Sequence, residues 1–173
     1  MSRPRRALLI GMMGSGKSTT AELVGKSLGW PCFDSDGEVE RRRGATVAEL
    51  WSEQGEAAFR REEAAVVADL LSGPEPAVVA LGGGAVLDPA SAAAIRDGGT
   101  VVWLRGTCAE LAQRVGDGGT RPLLAGGDPE GALAELSARR EGAYASTAHA
   151  VVDVDGLTPE EVAARVVREL SGA

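Results

Sequence analysis

Residues 11–18 read Gly-Met-Met-Gly-Ser-Gly-Lys-Ser, a match to GxxxxGK[ST], directly after the apolar run Ala7–Ile10 and at the start of a helical pattern from Lys17 to Leu28. No other feature constrains the fold as much, because the motif works only as a strand–turn–helix unit. Its glycines let backbone N–H groups converge on phosphate oxygens, and the helix N-terminus adds positive potential. Lys17 is expected to reach the β- and γ-phosphates, and the Ser18 hydroxyl to ligate Mg²⁺. Gly14, Ser15, Gly16 and Thr19 complete the expected nucleotide-binding loop. No NKxD-type guanine signature is present, which favours ATP.

The rest of the chain fits such a unit. Further apolar runs at Pro31–Phe33, Ala77–Leu81, Thr100–Leu104 and Ala150–Val154 are strand candidates. They alternate with helical segments, among them Asp36–Arg43, Val47–Trp51 and Glu56–Leu71. Alternating βα units imply a parallel sheet covered by helices on both faces, with ligands at the carboxyl ends of the strands. At 173 residues, with neither a repeat nor a linker, one domain spanning 1–173 is expected.

Composition excludes several classes. A formal charge of −7 argues against sequence-independent binding to nucleic acid or to an anionic membrane. The basic, apolar N-terminus is cut short by the GSGKST stretch, so it reads as neither signal peptide nor membrane span. Cys32 and Cys108 lie far apart and outside any CxxC pair, and are expected as buried thiols of a reducing cytosol. A soluble cytoplasmic protein follows, with a monomer as the default.

The strand Ala77–Leu81 runs into Gly82-Gly83-Gly84 where a metal-binding aspartate is usual in P-loop enzymes. The acid must come from elsewhere. Asp34-Ser35-Asp36 offers two carboxylates after the second strand: one for Mg²⁺, the other for an acceptor hydroxyl and its proton. Asp36 also suits a helix N-cap. The triple glycine exposes N–H groups without side chains, either as a plain turn or for close approach of a ligand.

In Phe59-Arg60-Arg61-Glu62-Glu63, helical geometry puts Arg60 and Glu63 on the apolar arc of Phe59, Val66, Val67, Leu70 and Leu71, and Arg61 and Glu62 outside it. Charges on an apolar arc are costly unless paired or liganded. Arg60 and Glu63 are therefore the suspect pair, against the alternative of a buried structural bridge, while Arg61 and Glu62 read as solvated. Arg121 lies in the Gly-rich segment 116–129, which is either irregular surface loop or mobile lid, and Arg139-Arg140 in a later helix. His149, the only histidine, reads as structural.

In order and over nearly the whole chain, GMMGSGKST, DSD, FRREE, LGGGAV, RPLL and ARREGAY resemble the shikimate kinases. The resemblance implies a P-loop, nucleoside-monophosphate-kinase-like three-layer α/β/α fold with a five-stranded parallel sheet and a mobile lid. It implies transfer of the ATP γ-phosphoryl to the 3-hydroxyl of shikimate, with Mg²⁺, in chorismate biosynthesis. Site roles follow by position: Asp36 at the shikimate hydroxyls, Asp34 with Ser18 on the Mg²⁺ side, and Arg60 and Arg140 on the shikimate carboxylate. Glu63 braces Arg60, Gly82 to Gly84 line the acceptor, Arg121 reaches the phosphates from the lid, and Arg114 lies near adenine. Trp51 pairs with Phe59 beside the acceptor, where the family more often has phenylalanine. Residues 155–159, Asp-Gly-Leu-Thr-Pro, lack the polar or basic groups many relatives place near the base. Gluconate-type kinases of the same fold and a catalytically silent nucleotide-binding module are the alternatives.

Overall fold

A computed structural model describes residues 5–116, 122–124 and 126–172. Five strands form one all-parallel sheet: β1 (Arg6–Ile10), β2 (Cys32–Asp34), β3 (Ala77–Ala80), β4 (Thr100–Arg105) and β5 (Ala150–Asp153), in the order β2-β3-β1-β4-β5. Every residue of β1 and β3 is buried, as the continuous apolar runs predict for strands covered on both faces. Because side chains alternate, β1 divides its leucines. Leu8 and Ile10 join Val79, Val101 and Trp103 on one face, while Ala7 and Leu9 join Val78, Val102 and Leu104 on the other.

Helices α1 (Lys17–Leu28) and α7 (Pro159–Ser171) cover the second face. The first is covered by α3 (Val47–Ser72), α4 (Pro89–Gly98) and α6 (Pro129–Thr147), with α5 (Cys108–Val115) beside α6. Each fully buried Val, Leu or Ile contributes about 1.5–3 kcal/mol on leaving water, so these two clusters hold the molecule together. Helix α2 (Ser35–Arg43) packs on α3 instead, through a third cluster of Val39, Leu50, Phe59 and Val66. No helix among the described residues is long and apolar enough to cross a membrane.

The two helical segments 47–51 and 56–71 stand as expected on either side of a kink at Gly55, whose φ of 82° and ψ of 169° suit glycine alone, and together they make up the kinked run α3. A capping box between Thr46 and Glu49 starts it. Several expectations are corrected. Asp36 is not the cap of α2: Asp34 caps it, accepting from the amides of Asp36 and Gly37, and the helix begins one residue earlier than expected. Cys32 is exposed, because β2 is a three-residue edge strand, and Cys108 is half-buried. The segment 116–129 is not irregular throughout. Pro122–Leu124 forms a 3₁₀ turn and Leu124 is fully buried in the first-face cluster. His149 is structural as expected: its backbone amide donates to the Val101 carbonyl at 2.8 Å, and its side-chain Nδ1 accepts from the Val101 amide at 3.0 Å.

Candidate active site

Parallel strands β1, β2 and β3 end side by side, so the phosphate loop, Asp34–Asp36 and the triple glycine meet at one edge. They line a single cavity of about 1160 Å³ that also takes in Arg60, Arg114 and Arg140. In the loop between β1 and α1, Gly14 and Gly16 have φ of 81° and 84°, the left-handed region that turns successive amides inward. Gly14, Ser15, Gly16, Lys17, Ser18 and Thr19 all line the cavity. The Lys17 ammonium donates to the carbonyls of Gly11 and Met12 at 2.8 and 3.0 Å, bracing the loop from within. The Ser18 hydroxyl is hydrogen-bonded to Asp34 Oδ2. A hydroxyl and a carboxylate in contact beside the phosphate loop are two hard oxygen donors, which fits Mg²⁺.

Across the cavity lies a second compartment. Glu63, 3% exposed, takes Arg60 Nη1 at 2.7 Å, while the more exposed Glu56 lies 3.6 Å from Arg60 Nε. The helical arc thus identified the correct pair. Arg61 is exposed, but Glu62 is not merely solvated; it pairs with Arg43 of α2 at 3.3 Å, a contact that depends on how α2 packs. The Arg60 guanidinium also lies 5.3 Å from the Trp51 ring centroid and 5.4 Å from that of Phe59, which fixes its direction.

Each glycine of the triplet abuts a different charged group. A Cβ on Gly82 would stand 2.5 Å from Glu63 Oε1 and 2.7 Å from Asp36 Oδ1, one on Gly83 would stand 3.0 Å from Arg140 Nη1, and one on Gly84 would collide with the Arg60 guanidinium. The triplet is thus packed against the protein's own charged side chains, which leave little room for a Cβ at any of the three positions. Arg140 is 3% exposed and its Nε has no hydrogen-bond partner among the described residues, whereas Arg139 is a surface residue paired with Glu135. A buried guanidinium at a cavity wall with one N–H short of an acceptor can receive an anion.

At the other end, Arg114 is held by Glu110 and by the Val154 carbonyl at 3.1 Å, beside the apolar wall of Leu157, Pro159 and Val162. Asp155 accepts from the Thr107 amide, so its carboxylate supports the turn before α5. Arg121 lies outside the described residues.

Two participants were not found from sequence. Ser35, fully buried between the two aspartates, accepts from the Gly82 amide at 2.8 Å and joins α2 to the triplet. Tyr144, 1% exposed, donates from its hydroxyl to the Gly83 carbonyl at 2.6 Å. Its place one helical turn after Arg140 was the only signal.

Known proteins with this architecture agree. The family model described as Shikimate kinase matches residues 13–171. A shikimate kinase of Thiobacillus denitrificans is 40% identical over 99% of this chain and 91% of its own length. One from Thermobifida fusca is 43% identical over 99% and 98%. The solved shikimate kinase of Acinetobacter baumannii in complex with shikimate superposes with a TM-score of 0.94, at 30% identity, covering 99% of this chain and 94% of that one. With a phosphate loop at one end of its cavity and paired arginines at the other, the chain belongs to the shikimate kinase family.

Proposed function

We propose that this protein transfers the γ-phosphoryl of ATP to the 3-hydroxyl of shikimate, and that it does so as a cytoplasmic, Mg²⁺-dependent monomer. The observation that carries the reading is the one cavity joining the phosphate loop to a compartment with Asp36, Arg60 and Arg140 around the triple glycine. Shikimate is a carboxylated triol, and these groups suit it. Two arginines grip the carboxylate, a carboxylate faces the hydroxyls, and side-chain-free backbone admits the ring. The shikimate bound by the Acinetobacter baumannii relative supports the same acceptor here.

Phosphoryl transfer through a loose transition state needs little covalent help, so catalysis is positioning and charge neutralisation. The amides of Gly14, Ser15 and Gly16 cradle the phosphates with Thr19 behind them, and the Lys17 ammonium exchanges its loop carbonyls for phosphate oxygens. Ser18 and Asp34 would hold Mg²⁺, which when bound would offset charge on the transferring group. Asp36 aligns the 3-hydroxyl and takes its proton late. Arg60, braced by Glu63, and Arg140 hold the carboxylate; Gly82 to Gly84 keep the ring close; Arg114 lies against adenine. Arg121, carried on the segment 116–129 acting as a lid, neutralises phosphate charge while closure excludes competing water.

The test is ADP release in a coupled assay with shikimate, with gluconate, and with neither. Shikimate-dependent release, cut at least about 100-fold in Asp36→Asn, is the expected result. ADP release with gluconate alone, or near-normal turnover of the variant, overturns the acceptor or the role of Asp36 respectively.

A further inference from the structure

Tyr144 has no part in the chemistry proposed above, yet its hydroxyl lies where three functional elements meet. It projects from α6 one turn beyond Arg140, and its ring packs on Trp103 of β4 with centroids 5.5 Å apart. The hydroxyl donates to the Gly83 carbonyl at 2.6 Å and lies 3.7 Å from the sulfur of Met12 in the phosphate loop. Burial pushes the phenol up from its ordinary range, so it remains an O–H donor across neutral pH.

The Gly83 carbonyl belongs to the same planar peptide as the Gly84 N–H. Fixing one fixes the other. That peptide lies between the two guanidinium groups of the acceptor compartment, with Arg140 against the Gly83 side and Arg60 against the Gly84 side. No side chain from the triplet can do this work.

We propose that Tyr144 is a positioning residue of the acceptor site. Its hydroxyl sets the Gly83–Gly84 peptide, and through it the spacing of Arg140 and Arg60, against a phosphate loop that it also touches. The inference rests on shikimate as acceptor. Without the hydroxyl the carbonyl loses a buried donor, and the peptide between the arginines is free to tilt.

Tyr144→Phe keeps the ring and removes only the O–H, and Trp103→Phe trims the neighbouring ring while leaving that O–H in place. With purified protein, initial rates at varied shikimate and varied ATP are measured for the parent and both variants, alongside thermal melts. The expected result is a shikimate KM raised about three- to tenfold in Tyr144→Phe, the loss of roughly one buried hydrogen bond, with the ATP KM within about twofold. Trp103→Phe lowers the melting temperature without that KM effect. An unchanged shikimate KM in Tyr144→Phe, equal shifts in both KM values, or the same rise in Trp103→Phe overturns the positioning role, since each reports packing only. Absence of shikimate-dependent turnover in the parent overturns the acceptor assignment itself, and this inference with it.

Discussion

Replacing Gly82 by alanine adds one methyl group where two acids already converge. The new Cβ would stand 2.5 Å from Glu63 Oε1 and 2.7 Å from Asp36 Oδ1, about 0.7–0.9 Å inside the 3.4 Å at which ordinary contact begins. Backbone strain is not the issue, since Gly82 is absent from the positive-φ glycines. Nor can the backbone easily retreat, because the Gly82 amide is bonded to the buried Ser35 hydroxyl. Glu63 is buried, whereas Asp36, in the first turn of α2, is only half-buried and so has more room to yield. A misplacement of about 1 Å in a group that aligns reactants costs on the order of 10²-fold. The shikimate kcat/KM should therefore fall about 30- to 100-fold, equivalent to about 2–2.7 kcal/mol of transition-state stabilisation, while the ATP KM stays within about twofold. Steady-state rates from the coupled ADP assay, with a thermal melt to establish folding, give the answer. A folded Gly82→Ala enzyme within about threefold of the parent would refute the close-packed account of the triplet.

Two further outcomes follow from the geometry. Arg140→Met keeps most of the buried volume but removes the guanidinium, and should raise the shikimate KM about 10- to 100-fold with little change for ATP; parallel changes in both would point to a folding defect. Hydrogen bonds from Arg41 and then Arg42 hold the Glu38 carboxyl well below the usual carboxylate range, at about 2. A depressed folded value means the stabilisation is fully present above the ordinary pKa of about 4.3 and is lost as pH falls toward 2. The difference in urea midpoint between the parent and Glu38→Gln should be constant from pH 5 to 8 and shrink below about 4; a difference independent of pH refutes the linkage.

Features encoded by local pattern were legible in the sequence. Four of the strands announce themselves as runs rich in valine or leucine and β2 only as a short apolar stretch, the phosphate loop by its spacing, and the Arg60–Glu63 pair by a 100° periodicity that holds because both lie on the same side of Gly55. What escaped depends on contacts between distant segments. Glu62 looks solvated until α2 brings Arg43 to it, and Leu124 looks like loop until the first-face cluster closes over it. Cys32 looks buried until β2 proves to be a short edge. Asp34 and Asp36 are equally good caps by composition, and only the entry angle from β2 assigns the cap to Asp34. Tyr144 shares a helix face with Arg140 by its spacing, but that spacing does not say that its hydroxyl meets a carbonyl 61 residues away.

The third hydrophobic cluster gives the molecule an uneven resistance to opening. Asp36 and Trp51 stand on α2 and on the part of α3 before Gly55, a unit whose buried apolar contacts are Val39 and Leu50 against Phe59 and Val66. The phosphate loop and Arg140, by contrast, stand on elements sealed into the two sheet-face clusters. Local opening is easiest where few apolar contacts are lost. By that measure this wall of the cavity, anchored by a smaller cluster, opens more easily than the elements that carry the phosphate loop and Arg140. A ligand that bridged this wall to Arg140 would do more than occupy space: it would couple a loosely anchored region of the protein to a firmly anchored one.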